Sequence, residues 1–137
     1  MITLDNQTNI KIDTNILDNI SKIDKEIEVV IVDDETMQKI NSEQREIDKT
    51  TDVLSFPLED FPHFPLGSIV INSDLATIRA KELGHSLKDE ITLMFIHGFL
   101  HLKGFDHEKD NGEMRKEEEE LINEFNLPQS LIIRMEN

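Results

Sequence analysis

The sequence of 137 residues contains no cysteine, which excludes disulfide bonds, thiolate metal ligands and a cysteine nucleophile. Long apolar stretches are also missing. The longest, 29–32 and 91–96, are far shorter than the ~20 residues that a membrane-spanning helix requires. The first residues show no basic segment followed by an apolar one, so we expect no signal peptide and a soluble, cytoplasmic protein.

Positive charge is scarce, because 14 lysine and arginine residues stand against 29 aspartate and glutamate residues, for a net charge of −15. This balance argues against a general binder of nucleic acid, since nonspecific affinity for phosphates comes mostly from lysine and arginine. It argues equally against binding to an anionic membrane surface. Part of the acidity lies in residues 108–124, where the run 117–120 predicts a solvated helix face.

The hydrophobic pattern predicts one α+β domain with a small sheet over residues 1–137. Short apolar, β-branched segments predict strands, and longer periodic segments beside capping residues predict helices. The predicted strands are 28–32, 53–56 and 66–72, and the predicted helices run from Asp33 or Asp34 through Ile40, from Ser73 or Asp74 to Leu83, from Leu87 to Lys103 and from about Gly112 to Phe125. Residues 41–51 are polar, and we expect them to be irregular.

The helix predicted over 87–103 is apolar on almost every side, which is typical of a helix buried in the middle of a domain. It carries His97 and His101, whose spacing of four places their Cβ atoms about 5–6 Å apart on one face. Both imidazoles can therefore reach one metal ion at about 2.0–2.1 Å. Gly104 can end the helix in a left-handed conformation, which lets His107 approach the same point from another direction.

Three neutral imidazoles with one open coordination position indicate a catalytic zinc site and not a closed structural one. The alternative is that the three are ordinary core residues. Against it, burying unpaired histidines costs free energy, whereas a metal ion satisfies them. His63 and His85 lie in predicted loops, and we expect solvent exposure to account for them.

The spacing H-x3-H-x2-G-x2-H also matches the ligand pattern of the metzincin metalloproteases. Those enzymes place their general base, a glutamate, directly after the first histidine. Gly98 occupies that position here, which argues strongly against a peptidase. The missing side chain would instead allow another segment to approach the helix closely.

The segment HGFLHLKGFDH resembles the H-G-x-L-H-L-x-G-y-D-H signature of the YbeY family of metal-dependent endoribonucleases, also called rRNA maturation factors. A second block, Arg45 to Asp48 followed by TDVLSFP at 51–57, is similar to the family's R-x-x-D…TDVLSFP segment. The strand 66–71 resembles its LGDIvI strand, and Met114 and Glu118 match its M…E pattern. Together these segments span roughly residues 28–125.

This resemblance implies a small mixed sheet with about five helices, around a central buried helix that carries the metal-binding histidines. It implies a zinc-type ion on His97, His101 and His107, and Arg45 as a further catalytic residue for phosphate contact. The implied activity is single-strand-specific RNA cleavage in maturation of the 16S rRNA 3′ end and in ribosome quality control. Two positions depart from the family: Ser68 replaces its usual aspartate, and Gln44 replaces an aromatic residue.

The partners implied are ribosomal RNA, the small ribosomal subunit and its assembly proteins, with no membrane. We expect one Zn²⁺ per chain, although nickel or another divalent transition metal also suits three imidazoles. Asp106 would either orient a ligand imidazole or serve as an N-terminal cap or in a turn, and Arg45 would contact phosphate or form an ion pair.

Two other functions fit the same residues. One is a metal-dependent hydrolase with another substrate, and the other is a non-catalytic ribosome-assembly module that holds a structural metal.

Overall fold

The computed structural model describes residues 1–59 and 61–128 of the chain. The domain predicted over 1–137 is thus described up to residue 128. In chain order the elements are β1 (Ile2–Asn6), α1 (Thr14–Ser21), β2 (Ile27–Val32), α2 (Asp34–Arg45), β3 (Val53–Pro57), β4 (Gly67–Asn72), α3 (Ser73–Leu83), α4 (Leu87–Leu102) and α5 (Glu113–Glu124). None of the helices within this part of the chain combines the length and the apolarity needed to cross a bilayer.

The four strands form one sheet in the order β1-β2-β4-β3. β1, β2 and β4 run parallel, and β3 pairs with β4 in the antiparallel direction. The sheet is therefore mixed, and the predicted α+β fold with about five helices around a small mixed sheet is confirmed. β3 forms one edge, which matters for the site because β3 packs against α4.

Side-chain alternation divides the sheet into two packed faces. Val29 and Ile31 of β2, with Ile69 and Ile71 of β4, belong to the larger core and are fully buried together with residues of α4. Val30 of β2 and Val70 of β4, which lie between these residues, point to the opposite face. They pack with Met37 of α2 in a second, smaller cluster. α4 and α2 therefore cover opposite faces of the sheet.

α4 lies at the centre of the larger core, as its composition predicts. Twelve of its sixteen residues are buried. Its first turn is capped by the Ser86 hydroxyl, which accepts a hydrogen bond from the Asp89 amide at 3.0 Å. The helix ends at Leu102, one residue before the predicted end.

The structure differs from the prediction in two places. α2 continues to Arg45, although residues 41–51 were expected to be irregular. Asn41 is buried there, and its amide donates to the Lys49 carbonyl at 2.8 Å, so a tertiary contact sustains a polar helical turn. The elements β1 and α1 were not predicted, although Ile2 and Leu4 alternate with polar residues as in a strand, and Asp13 stands as an N-cap before Ile16, Leu17 and Ile20 at helical spacing.

Candidate metal centre

The end of α4 and the turn after it bring the three histidines together. His97 and His101 lie one helical turn apart on α4. Gly104 adopts a φ of 97°, a left-handed conformation that glycine enters without a Cβ clash. Its amide donates to the His101 carbonyl at 3.0 Å, and the Phe105 amide donates to the Leu100 carbonyl at 3.1 Å. The chain therefore reverses over the helix end and returns His107 toward the other two rings.

The three imidazole rings face one another around a common point. Their centroids are 4.8 Å apart for His97 and His101, 5.2 Å for His97 and His107, and 5.4 Å for His101 and His107. One ring nitrogen from each lies within 4.8 Å of the others. The Nε2 atoms of His97 and His101 are 3.2 Å apart. Two nitrogens bound to a tetrahedral ion at ~2.0–2.1 Å would be about 3.3 Å apart, so this spacing fits a metal ion.

The partners of two rings decide which nitrogen is available as a ligand. His97 Nδ1 lies 2.8 Å from a carboxylate oxygen of Glu118, and His101 Nδ1 lies 3.0 Å from the Phe105 carbonyl oxygen. A carboxylate and a carbonyl only accept, so each Nδ1 carries the hydrogen and donates it. In the neutral rings both Nε2 lone pairs then point toward each other, an arrangement that a shared cation satisfies.

His107 supplies a second indication of a cation site. Its Nδ1 atom is buried and has no hydrogen-bond partner among the described residues. A buried polar atom without a partner is costly and calls for an explanation. A divalent metal ion would give the three converging rings a common partner, and three neutral imidazoles are a donor set that zinc accepts.

The surroundings of His101 favour its neutral ring. Burial lowers the pKa of His101, and the neighbouring His97 and His107 rings lower it further. The hydrogen bond to the Phe105 carbonyl and the charge of Asp106 act in the opposite direction without reversing the result. The ring is therefore available in its unprotonated form, which a metal requires, across a wider pH range than a free imidazole.

Gly98 occupies the position at which the metzincins carry their glutamate base, and its surroundings leave no room for a side chain. A Cβ on Gly98 would lie 2.8 Å from Cγ2 of Ile69 and 3.1 Å from the hydroxyl oxygen of Ser55. The position therefore faces the sheet at van der Waals contact. The predicted close approach of another segment is confirmed, and the approaching segments are β3 and β4.

Glu118 corrects one prediction. The run 117–120 was expected to form a solvated helix face, but Glu118 is 1% exposed and bonded to His97. The spacing of four from Met114 to Glu118 and from Glu118 to Ile122, all of them buried, is the signal in the sequence that places it on the inner side of α5.

Among the described residues, no hydrogen bond or ion pair joins Arg45 to the three histidines. It is the last residue of α2, is exposed, and lies on a helix that covers the face of the sheet opposite to α4. Arg45 forms no ion pair with any of the described residues, so the alternative role of Arg45 in an ion pair is not supported.

Other polar residues singled out in the sequence have structural partners. The carboxylate of Asp106 accepts from the Glu108 amide at 3.1 Å, which is the expected turn role. The hydroxyl of Ser68 donates to the Glu28 carboxylate at 2.9 Å. His63 is exposed in a turn, as expected. The exposure expected for His85 is wrong, because its Nε2 lies 2.6 Å from the fully buried carboxylate of Glu90.

Comparison with known proteins gives a consistent result over nearly the whole chain. The family model described as Endoribonuclease YbeY matches residues 3–126. An Endoribonuclease YbeY from Nautilia profundicola is 55% identical over 139 residues, covering 100% of both chains. Another from Campylobacter jejuni (strain RM1221) is 66% identical over 111 residues, covering 80% of this chain and 82% of that one. A solution structure of a Thermotoga maritima protein is similar, with a TM-score of 0.61, 26% identity and 92% of each chain covered.

Proposed function

Since this chain belongs to the YbeY endoribonuclease family, we propose that it is a metal-dependent, single-strand-specific endoribonuclease that matures the ends of small-subunit ribosomal RNA. The observation that carries this proposal is the convergence of His97, His101 and His107 around a common point, with the Nε2 atoms of the first two 3.2 Å apart. We infer one Zn²⁺ per chain, with nickel or another divalent transition metal as the alternative.

The donor set supports a catalytic ion and not a structural one. Among the described residues, the only group of side chains with metal-binding geometry is the three histidines, and no acidic side chain joins them. Three protein ligands leave a position open for water or substrate. The chemistry that a bound divalent ion supplies in such a site is polarisation of a phosphodiester and a lowered pKa of water.

The chain's own residues have three roles in this proposal. The three imidazoles hold the ion and, being neutral, leave its positive charge available to the substrate. The Arg45 guanidinium, exposed and free of ion pairs within the residues described, contacts a nonbridging phosphate oxygen of the RNA.

The substrate is recognised with help from partners. A net charge of −15 opposes tight binding to free RNA. We therefore propose that the small ribosomal subunit and its assembly proteins, in the cytoplasm, present the RNA end to this enzyme. Binding to free RNA is then weak.

A peptidase is disfavoured by one observation. The position where a metalloprotease carries its glutamate base is Gly98, which faces Ile69 and Ser55 of the sheet and not the histidines. A side chain there would not reach the metal centre.

Metal content and RNA cleavage together test the proposal. Untagged protein is expected to contain about one metal ion per chain, which is lost in His97→Ala, His101→Ala and His107→Ala. His63→Ala, in an exposed turn, is the matched control. Wild type is expected to cleave a single-stranded RNA but not the same sequence in a duplex, and the three ligand variants to cleave neither. The proposal would be refuted if the metal content did not depend on the three histidines, or if variants that lack one of them still cleaved RNA.

A further inference from the structure

We propose that Glu118 is the positioning residue of the metal centre: its carboxylate fixes the ring of His97 so that Nε2, and not Nδ1, is the ligand atom. This inference rests on the proposed metal site and adds a residue from outside the histidine motif. Glu118 lies twenty-one residues after His97, on a different helix.

The contact between the two side chains is short and enclosed. The Nδ1 of His97 lies 2.8 Å from a carboxylate oxygen of Glu118, and the two side chains are 8% and 1% exposed. Water has little access to this bond, so rotation of the ring would leave a buried carboxylate without this donor. That loss is costly for a buried charge, and the orientation of the His97 ring is consequently fixed.

α5 holds the carboxylate in place from both sides. Met114 and Ile122, one turn before and one turn after Glu118, are 0% and 7% exposed and pack inward. The start of α5 is anchored by Asp110, whose carboxylate accepts from the amides of Gly112 at 2.9 Å and Met114 at 3.0 Å. Asp110 lies three residues after His107, so the segment that carries the third ligand also fixes the helix that orients the first.

The hydrogen bonds that orient His97 and His101 differ in the charge of the acceptor. His101 donates to a neutral backbone carbonyl at Phe105, whereas His97 donates to a carboxylate. A carboxylate acceptor makes the imidazole a stronger donor to a metal and fixes its tautomer. Glu118 thus contributes two separable effects, a hydrogen bond that sets the ring and a negative charge that strengthens the ligand.

Metal affinity of substituted proteins separates these effects. Glu118→Gln keeps an oxygen that can accept from Nδ1 but removes the charge, and Glu118→Ala removes both. Glu120→Gln, exposed on the same helix, is the matched control. Zinc dissociation constants are measured by competition with a chromophoric chelator. Visible absorption of the cobalt-loaded proteins reports the ligand geometry.

We expect Glu118→Ala to bind zinc about 10–100-fold more weakly than wild type, with an altered cobalt spectrum. Glu118→Gln is expected to lie between the two and to retain the wild-type spectrum, and Glu120→Gln to match wild type. If Glu118→Ala does not fold, Glu118→Gln carries the test: weaker zinc binding with the wild-type cobalt spectrum supports the proposal. The proposal is overturned if Glu118→Gln, and Glu118→Ala where it folds, bind zinc with an affinity within twofold of wild type.

Failure of this inference is distinguishable from failure of the proposed function. Zinc that binds wild type, is lost in the triad variants and is indifferent to Glu118 overturns only the role of Glu118. Wild type that takes up no divalent transition metal overturns both.

Discussion

The hydroxyl of Ser55 on β3 donates a hydrogen bond to the backbone carbonyl of Gly98 on α4, with 3.1 Å between the two oxygen atoms. Gly98 directly follows His97, so this bond ties the edge strand to the helix at the level of the three histidines. It forms because Gly98 carries no side chain, and a Cβ would lie 3.1 Å from the same hydroxyl oxygen.

Gly98→Ala is expected to destabilise the protein. The added methyl group would lie 2.8 Å from Ile69 Cγ2, and overpacking of this kind costs about 1–3 kcal/mol. Alanine gains ~0.8–1.0 kcal/mol in helix propensity over glycine, so the net loss is smaller than the clash alone. Urea denaturation measures it. Ser55→Ala, which removes the bond and leaves the space, should cost only about 0.5–1.5 kcal/mol. Gly98→Ala at or above wild-type stability would contradict the close contact.

Arg45→Ala is expected to leave both the unfolding midpoint and the metal content unchanged, because the side chain is exposed at the end of α2. RNA cleavage should fall about 10–100-fold, the effect of losing a hydrogen bond to a charged group worth roughly 1.5–3 kcal/mol. Lys39→Ala removes one positive charge from an exposed position of the same helix and should have a much smaller effect. Equal losses in the two variants would show that only net charge matters.

His85→Ala is expected to lower stability, because His85 is bonded to the fully buried carboxylate of Glu90 at 2.6 Å. Loss of a hydrogen bond to a buried charged group costs about 1.5–3 kcal/mol, measured as a lower denaturation midpoint in urea. His63→Ala removes an exposed imidazole and should be neutral within ~0.5 kcal/mol. If both variants matched wild type, the bond between His85 and Glu90 would contribute nothing to the fold.

Asp34→Asn is expected to destabilise the protein in a pH-dependent way. The Asp34 carboxylate accepts from the Thr50 hydroxyl at 2.7 Å and the Asn72 amide at 2.8 Å, and these bonds hold the pKa of Asp34 below its usual 3.8. A lowered folded-state pKa contributes stability that is present above the unfolded pKa and is lost as pH falls through the folded value.

The free energy of unfolding of wild type and Asp34→Asn should therefore differ most above about pH 4 and converge at lower pH. Asp24→Asn, at an exposed position, is the matched control for the loss of one charge. A difference that stays constant down to the acid unfolding transition would show that the ionised form of Asp34 has no special role.

The convergence of the three histidines could be predicted from the sequence because their placement obeys short-range rules. His97 and His101 are one helical turn apart, and Gly104 marks the reversal that brings in His107. The helical spacing of the histidines and the left-handed conformation of the glycine are local properties that do not depend on contacts with distant parts of the chain.

The parts that could not be predicted depend on distant contacts. Glu118 stands in a run of four glutamates, and composition alone suggests solvent, although the spacing from Met114 places it inside. α1 is different, because Asp13 as N-cap and the helical spacing of Ile16, Leu17 and Ile20 are local signals from which this helix could have been predicted. The position of Arg45 relative to the triad depends on which face of the sheet α2 covers, which no local pattern specifies.

All three proposed ligands come from eleven consecutive residues, His97 to His107. An ion bound there closes only a short loop, so it removes little conformational entropy from the unfolded chain. The three parallel strands lie within residues 2–72 and contribute none of the proposed ligands. Depletion of metal would then leave a folded apoprotein that regains its centre as soon as metal returns, and the cell could adjust the activity of existing molecules without making new ones.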